Sequence, residues 1–280
     1  MIRTIDPSAI GEGRGLAGRV AIVTGAGSRG DGIGNGRAAA ILLARQGVRV
    51  AVLDENVEWA ERTRAMIAAE SGEAMVVPCD VSRIEACEAA VAATVARWGR
   101  LDVLVNNVGV IGPAGTAVDV DPEAWDAGLR VNLTSMVYMA RFAIPRMREQ
   151  GGGAIVNLSS VAGLLGGYPS LLYPTTKGAV VALTQAMASQ HGAEGIRVNC
   201  IAPGMVYTPM VATRGMTDTL REARRLGAPL QTEGTGWDIG HAVVYLASDE
   251  ARWMTGVVLP VDAGSTSAMG ALPVVPRPAN

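Results

Sequence analysis

Short runs of consecutive apolar residues alternate along the chain with longer segments whose apolar residues recur at helical spacing. The segments predict helices over residues 33–46, 57–71, 83–98, 122–149, 173–191 and 236–248. Alternation of this kind is typical of a parallel sheet whose strands are joined by helices. The apolar runs that predict its strands are RVAIVT, VRVAVLD, AMVVPC, LDVLVNN, AIVNLSS, IRVNCIA and VVLPVD.

Most of these runs lack polar alternation, which is typical of strands covered by helices on both faces. The pattern predicts an α/β fold of three αβα layers around a doubly wound, Rossmann-like sheet of seven parallel strands. Nothing between Gly18 and Asp262 resembles an interdomain linker, so we expect one domain over residues 18–268. Residues 209–235 lose strand character and predict a substrate lid, while residues 1–17 and 269–280 are expected to form an N-terminal extension and a C-terminal tail.

Composition narrows the classes of function. The net charge of −2, with both signs dispersed, gives no basic stripe, so we expect no nucleic-acid partner. No uncharged apolar run approaches the ~20 residues that span a bilayer, and Asp6, Pro7 and Glu12 interrupt the segment where a secretory signal would lie. The three cysteines include no CxxC pair and suit reduced thiols. A cytoplasmic protein with no membrane partner is the expectation.

A glycine-rich segment, TGAGSRGDGIG, lies between the first predicted strand and the first predicted helix. Gly25, Gly32 and Gly34 let the backbone turn tightly and approach a pyrophosphate at the helix N-terminus. A plain structural turn is the alternative. The position between a strand and a helix is the context that a dinucleotide-binding loop requires, and it favours that interpretation.

Asp54 ends the second predicted strand, where a carboxylate can accept hydrogen bonds from the adenosine ribose hydroxyls. The same charge would repel a 2′-phosphate, and Glu55 adds a second negative charge. We therefore expect NAD rather than NADP. The alternative for Asp54 is an ordinary solvated acid at a strand end.

Tyr173 and Lys177 are four residues apart, so they share a face if both lie on one helix. A free tyrosine has a pKa of about 10, and a neighbouring ammonium lowers it toward the range of a useful base. Pro174 is tolerated in a first helical turn, which places Tyr173 at the start of its helix. Tyr168 has Leu172 instead of a cation four residues later, so we expect it to line the substrate cleft. His191 and His241 have no ligand cluster around them, and no metal is expected.

Several motifs in order resemble the single-domain branch of the short-chain dehydrogenase/reductase family, from Gly18 to Gly264. One departure concerns the family's TGxxxGxG loop, because this chain has three additional residues, best placed as Arg29, Gly30 and Asp31. Arg29 either approaches a phosphate, which reopens the choice of NADP, or points to solvent beside Asp31, which we favour. The motifs are TGAGSRGDGIG, Asp54, CDV at 79–81, NNVG at 106–109, VN at 131–132, NLSS ending at Ser160, YPTTK and PGMVYTP.

The resemblance implies roles for particular residues. Tyr173 is the acid/base, Lys177 supports it, and Ser160 hydrogen-bonds the substrate oxygen with Ser159 as a structural neighbour. Asn132 holds a water in a proton relay, with an ordinary polar contact as the alternative. The expected substrate-binding residues are Ser160, Tyr168, Met205 and Met210. The expected cofactor-binding residues are Gly25, Gly27, Ser28, Gly32, Ile33, Gly34, Asp54, Asp80, Val81, Asn107, Val108, Gly109, Tyr173, Lys177, Pro203, Gly204, Val206 and Thr208.

These roles imply an NAD-dependent oxidoreductase that transfers a hydride between nicotinamide and a secondary alcohol or ketone. The methionine-containing lid favours an apolar or mixed substrate. An NADPH-dependent ketoacyl-type or carbonyl reductase is one alternative, and a non-catalytic dinucleotide-binding sensor or scaffold is another. By the resemblance we expect a homotetramer or homodimer that pairs through the 122–149 helix and the Tyr173 helix.

Overall fold

The computed structural model describes residue 5, residues 14–213 and residues 215–268, and all structural statements below refer to these. They contain one sheet of seven parallel strands in the order β3-β2-β1-β4-β5-β6-β7, which confirms the predicted fold. The strands are β1 (Val20–Thr24), β2 (Arg49–Asp54), β3 (Ala74–Pro78), β4 (Val103–Asn106), β5 (Gly153–Leu158), β6 (Ile196–Pro203) and β7 (Val258–Val261).

The helices begin and end within a few residues of the predicted bounds. The helix predicted over residues 122–149 differs in one respect, because a π-helical turn, Arg130–Thr134, interrupts it. Such turns insert one residue into the helical repeat and occur often at functional sites. The helices are α1 (Asn35–Arg45), α2 (Val57–Ala69), α3 (Ile84–Trp98), α4 (Pro122–Leu129), α5 (Ser135–Glu149), α6 (Leu172–His191), α7 (Pro209–Ala212), α8 (Asp218–Leu226) and α9 (Gly236–Ala247).

Successive residues of each central strand enter different layers of the core. Ala21 and Val23 of β1 pack with residues of α1, α2 and α9, whereas Val20 and Ile22 pack with residues of α3, α5 and α6. All four side chains are fully buried. Coverage of both faces explains why these strands read as unbroken apolar runs.

The packed domain begins before the predicted boundary at residue 18. Leu16 is fully buried in the core, and the Asp249 N–H donates a 3.0 Å hydrogen bond to the Arg14 carbonyl oxygen. Arg14 also pairs with Glu250 at 3.2 Å. The remainder of the expected extension, 1–4 and 6–13, and the expected tail, 269–280, lie outside the described residues. Within the described part, no helix combines the length and apolarity needed to cross a bilayer.

The sheet reverses its strand order at β1, whose neighbours are β2 on one side and β4 on the other. In open α/β sheets the crevice outside the strand ends at this point is where ligands bind. The Asn107 side-chain amide crosses it and donates to the carbonyl oxygens of Thr24 at 3.0 Å and Gly25 at 2.9 Å. The reversal therefore joins the glycine-rich segment to the end of β4.

Candidate active site

The glycine-rich segment turns at Gly25, whose φ of +60° favours glycine over other residues. A Cβ at Gly36 would lie 2.1 Å from the Gly25 carbonyl oxygen, so only glycine lets α1 approach the end of β1 this closely. Close helix–strand packing is the role of the last glycine in dinucleotide-binding loops. Gly36 has that role here, although it was not among the expected cofactor-binding residues. The tripeptide GNG at the start of the helix, residues 34–36, is the sequence feature that could have indicated this role.

The position of Gly36 corrects the length of the insertion. Gly34 is the N-cap of α1, so Gly34 and Gly36 are the final pair of the TGxxxGxG pattern. Gly25 and Gly34 are nine positions apart where the pattern has four, so the chain carries five extra residues, 29–33, instead of the expected three. Gly32 belongs to this extra segment. A Cβ there would lie 2.4 Å from the Pro209 side chain at the start of the lid.

The extra segment also contacts α2. Arg29 is exposed, as expected, and its Cζ lies 5.6 Å from the centroid of a Trp59 ring. Asp31 pairs with Arg62 at 2.8 Å and not with Arg29. The segment is thus joined to α2 by two side-chain contacts at the surface.

Asp54 is buried at the end of β2 and is held by main-chain donors. Its Oδ2 accepts a 3.0 Å hydrogen bond from the Gly27 N–H, and its Oδ1 accepts one of 3.0 Å from the Asn56 N–H. Burial raises the pKa of this carboxyl, and the two hydrogen bonds and the charge of Arg37 oppose that rise. The carboxylate is therefore fixed against the glycine-rich segment, where a ribose-binding acid is expected.

Lys177 is buried, with its side-chain nitrogen donating a 2.8 Å hydrogen bond to the Leu158 carbonyl oxygen. Burial lowers the pKa of Lys177 to about 8, because desolvation disfavours the ammonium form. The same nitrogen lies 5.8 Å from the Tyr173 ring centroid. The predicted juxtaposition of these two residues on one helix is present, and Pro174 lies in the first turn of α6 as expected.

Asn132 lies in the π-helical turn and is fully buried. Its Oδ1 accepts from the Val110 N–H at 2.7 Å, and its amide donates to the Val110 carbonyl at 2.8 Å and to the Thr176 hydroxyl at 3.0 Å. A Cβ on Gly109 would lie 3.1 Å from the Lys177 nitrogen and 3.6 Å from the Asn132 Oδ1. Gly109 therefore marks a point that both side chains approach.

The two serines after β5 differ in their partners. The Ser159 hydroxyl donates a 2.6 Å hydrogen bond to the main-chain carbonyl of Lys177, which makes it a tie between β5 and α6. The Ser160 hydroxyl accepts a 3.2 Å hydrogen bond from the Ala162 N–H. An N–H that points at the hydroxyl oxygen leaves the Ser160 proton for another acceptor.

The expected substrate residues Tyr168, Met205 and Met210 have different surroundings. The rings of Tyr168 and Tyr173 lie 4.9 Å apart between centroids and are tilted by 32°, so Tyr168 borders the expected acid/base. Met205 lines a cavity of about 230 Å³ together with Val206, Arg224 and Leu230. Met210 is half-exposed on α7. The structure therefore places Tyr168 next to Tyr173.

The remaining expected cofactor residues lie along the same edge of the sheet. Val81 is buried after β3, while Asp80 accepts a 2.9 Å hydrogen bond from the Ser82 N–H. A Cβ on Gly204 would lie 2.6 Å from Asp262, and Thr208 is the N-cap of α7. The described residues hold no cluster of potential metal ligands.

A chain of buried polar side chains, not expected from the sequence, connects two strands of the sheet to α6. The Asn106 amide donates to the Asn157 side-chain oxygen at 2.9 Å, and the Asn157 amide donates to the Thr184 hydroxyl at 3.0 Å. These bonds join β4, β5 and α6 below the catalytic candidates. The sequence feature that could have indicated this chain is one asparagine near the end of each of two otherwise apolar strands.

A parallel sheet with a glycine-rich turn at its reversal point, a fixed acid after β2 and a Tyr–Lys pair on α6 defines a dinucleotide-binding oxidoreductase of the α/β class. A family model described as enoyl-(acyl carrier protein) reductase matches residues 28–266. The chain belongs to the short-chain dehydrogenase/reductase family.

Relatives of known activity are similar over nearly their whole length. The 2-(R)-hydroxypropyl-CoM dehydrogenase of Xanthobacter autotrophicus is 38% identical over 89% of this chain and 99% of its own. The cyclohexanol dehydrogenase of an Acinetobacter species is 35% identical over 89% of this chain and 95% of its own. A solved 7α-hydroxysteroid dehydrogenase, in complex with NADH and 7-oxo glycochenodeoxycholic acid, superimposes with a TM-score of 0.84 at 30% identity, over 90% of this chain and 96% of its own.

These similarities identify the chain as a short-chain alcohol oxidoreductase. The non-catalytic sensor considered from the sequence is set aside, because the named relatives are enzymes at this level of identity.

Proposed function

We propose that the protein is an NAD-dependent dehydrogenase that interconverts a secondary alcohol and its ketone, with Tyr173 as the acid/base. The observation that carries this proposal is the buried ammonium of Lys177, held 5.8 Å from the Tyr173 ring centroid. A buried cation beside a phenol favours the phenolate, the form that removes a proton from an alcohol.

When bound, nicotinamide accepts the hydride from the alcohol carbon or donates it to the ketone. Tyr173 removes the hydroxyl proton during oxidation and returns it to the substrate oxygen during reduction. The Ser160 hydroxyl donates a hydrogen bond to that oxygen, and Lys177 stabilises the phenolate. Asn132 holds the main chain at Val110 in place. Its proposed role is to hold a water in a proton relay with Lys177.

The glycines and the acid of the site fit a dinucleotide. A Cβ at Gly27 would lie 2.7 Å from the Asp54 carboxylate and one at Gly36 would lie 2.1 Å from the Gly25 carbonyl oxygen, so glycine lets the segment pack closely against β2 and α1. Asp54 supplies a fixed acceptor for ribose hydroxyls. We propose NAD because a buried carboxylate opposes a 2′-phosphate. The other proposed contacts are Ser28, Gly32, Ile33, Gly34, Asp80, Val81, Asn107, Val108, Gly109, Tyr173, Lys177, Pro203, Gly204, Val206 and Thr208.

An apolar or mixed substrate is proposed, recognised by Tyr168 and the lid. Met210, Leu220 and Leu226 on the lid helices are exposed, which suits contact with an apolar molecule. The relatives support this class, since their names include cyclohexanol dehydrogenase and a hydroxysteroid dehydrogenase.

The test measures initial rates on a panel of cyclic and acyclic secondary alcohols by the absorbance of reduced nicotinamide, with NAD and NADP in parallel. We expect turnover of at least one apolar alcohol and a higher kcat/KM for NAD than for NADP. A preference for NADP would favour the reductase alternative and contradict the role given to Asp54. Absence of turnover by folded protein that binds NADH would contradict the proposed reaction.

We propose a homodimer or homotetramer that pairs through α4–α5 and α6. Val137 on α5 is 45% exposed, which supports contact by this helix with another copy. Light scattering on the full chain tests it. A monomeric mass at micromolar concentration would contradict the proposal.

A further inference from the structure

A buried arginine lies under the glycine-rich segment, and neither the motifs nor the proposed mechanism gives it a role. Arg37 in the first turn of α1 has no exposed surface, yet all five of its N–H donors are occupied. Its Nε donates to the Thr63 hydroxyl at 3.0 Å, Nη1 donates to the carbonyls of Gly30 at 3.0 Å and Gly32 at 2.7 Å, and Nη2 donates to those of Ser28 at 3.1 Å and Trp59 at 3.3 Å.

Burying a charged group is costly unless its donors are satisfied, and the partners here are almost all main-chain carbonyls. Three of them come from alternate residues of one segment, at Ser28, Gly30 and Gly32, so the backbone curls around the guanidinium. Burial lowers the pKa of Arg37, but an arginine keeps its charge at neutral pH. A permanent positive charge therefore lies under the segment.

The curled backbone consists of Ser28 and the extra segment 29–33. One side of it contacts α2 through Arg29 on Trp59 and Asp31 with Arg62. Its far end approaches the lid, because a Cβ on Gly32 would lie 2.4 Å from the Pro209 side chain. The segment thus runs from the neighbourhood of Asp54 to the start of the lid, and Arg37 is the group that holds its middle.

We propose that Arg37 is a positioning residue for the dinucleotide: it holds segment 29–33 as a fixed wall of the cofactor site between Asp54 and the lid. The inference rests on the proposed function, in that the site binds a nicotinamide dinucleotide. Ordering a loop of this length during binding would cost conformational entropy, and holding it in advance removes that cost. The buried positive charge also attracts an anionic ligand.

The test is direct binding of NADH to the full chain, followed by the fluorescence of the reduced nicotinamide. Arg37→Met keeps an apolar stem and removes every donor, and we expect Kd for NADH to rise by at least about tenfold. The kcat at saturating dinucleotide and the KM for the alcohol should stay within about twofold, because Arg37 contacts neither Tyr173 nor Ser160. A role limited to folding would lower the melting temperature without this separation of affinity from kcat.

Arg62→Met is the matched control, since it removes the same charge beside the same segment. Arg62 is partly exposed and pairs with the exposed carboxylates of Asp31 and Glu58, so we expect its Kd to stay within about twofold of wild type. An equal rise in both variants would mean that net charge, and not the position of Arg37, determines affinity, and would overturn the proposal.

If Arg37→Met does not fold, Arg37→Lys decides, because lysine keeps the charge but has only three donors and no planar fork. A Kd raised by about fivefold or more supports the proposal, and a Kd within about twofold of wild type overturns it. Failure of the wild type to bind NADH would instead contradict the proposed function.

Discussion

The side-chain nitrogen of Lys177 donates a hydrogen bond of 2.8 Å to the main-chain carbonyl of Leu158, the last residue of β5. This bond joins the second turn of α6 to the strand end that precedes the two serines. It fixes the ammonium in a buried position, where its influence on a neighbouring phenol is stronger than in water. The strand end thus sets the position of the cation as well as that of Ser160.

Tyr173→Phe should remove the acid/base and leave the shape of the site intact. We expect kcat to fall by about 10²–10⁴-fold, while Kd for NADH changes by less than about twofold. Steady-state rates and fluorescence titration measure the two quantities. Activity near the wild-type level would exclude Tyr173 from proton transfer. Tyr168→Phe is the control, and it should retain kcat within about tenfold, because its partner is the Tyr173 ring and not a reacting atom.

Lys177 should make the stability of the cofactor-free protein depend on pH. Its pKa is lowered to about 8 from 10.5, so the folded chain loses this proton before the unfolded chain does. Between these values the unfolded state binds more protons, and the contribution of Lys177 to stability rises with pH. From about pH 7 to about pH 10, the wild type should gain ~1–3 kcal/mol relative to Lys177→Met in urea unfolding. A constant difference between the two proteins would contradict the lowered pKa.

Ser160 and Ser159 form a natural pair for comparison. Ser160→Ala should lower kcat/KM by about 10²-fold, because the developing charge on the substrate oxygen loses a donor. Ser159→Ala removes the bond to the Lys177 carbonyl and should cost ~1 kcal/mol of unfolding free energy with kcat nearly retained. Equal losses of kcat/KM in both variants would argue against distinct roles.

Asp54→Asn tests cofactor choice without a change of size. Removal of the negative charge should lower the ratio of kcat/KM for NAD to that for NADP by about tenfold. Glu55→Gln provides the control, since Glu55 is exposed and should alter the ratio little. An unchanged ratio in Asp54→Asn would mean that other groups select the dinucleotide.

Asn157→Ala tests the buried polar chain. The Asn106 amide loses its acceptor and the Thr184 hydroxyl loses a donor, so unfolding free energy should fall by ~2–3 kcal/mol. Urea denaturation measures the change. A loss below ~0.5 kcal/mol would show that water or a neighbouring group replaces the missing partner.

Much of the site followed from local pattern. The spacing of Tyr173 and Lys177 gave their shared face, and Pro174 gave the start of the helix, because both depend only on helical geometry. The position of the glycine-rich segment between β1 and α1 was predicted correctly, but the number of additional residues in it was predicted as three instead of five. The GxG of the pattern can be aligned either with Gly32 and Gly34 or with Gly34 and Gly36. Only the close approach of Gly36 to the Gly25 carbonyl oxygen distinguishes the two alignments.

The parallel sheet, the layers and the Tyr–Lys pair could be predicted from the amino-acid sequence, because each depends on residues that are close along the chain or on strands buried on both faces. Tertiary structure alone decided the partners of residues far apart in sequence. It gave Arg37 five acceptors, from Ser28, the extra segment and α2, and it gave the Lys177 ammonium the Leu158 carbonyl oxygen as its acceptor. Hydrogen bonds of this kind depend on how segments distant in sequence pack against each other. The spacing of hydrophobic residues along the chain does not predict that packing.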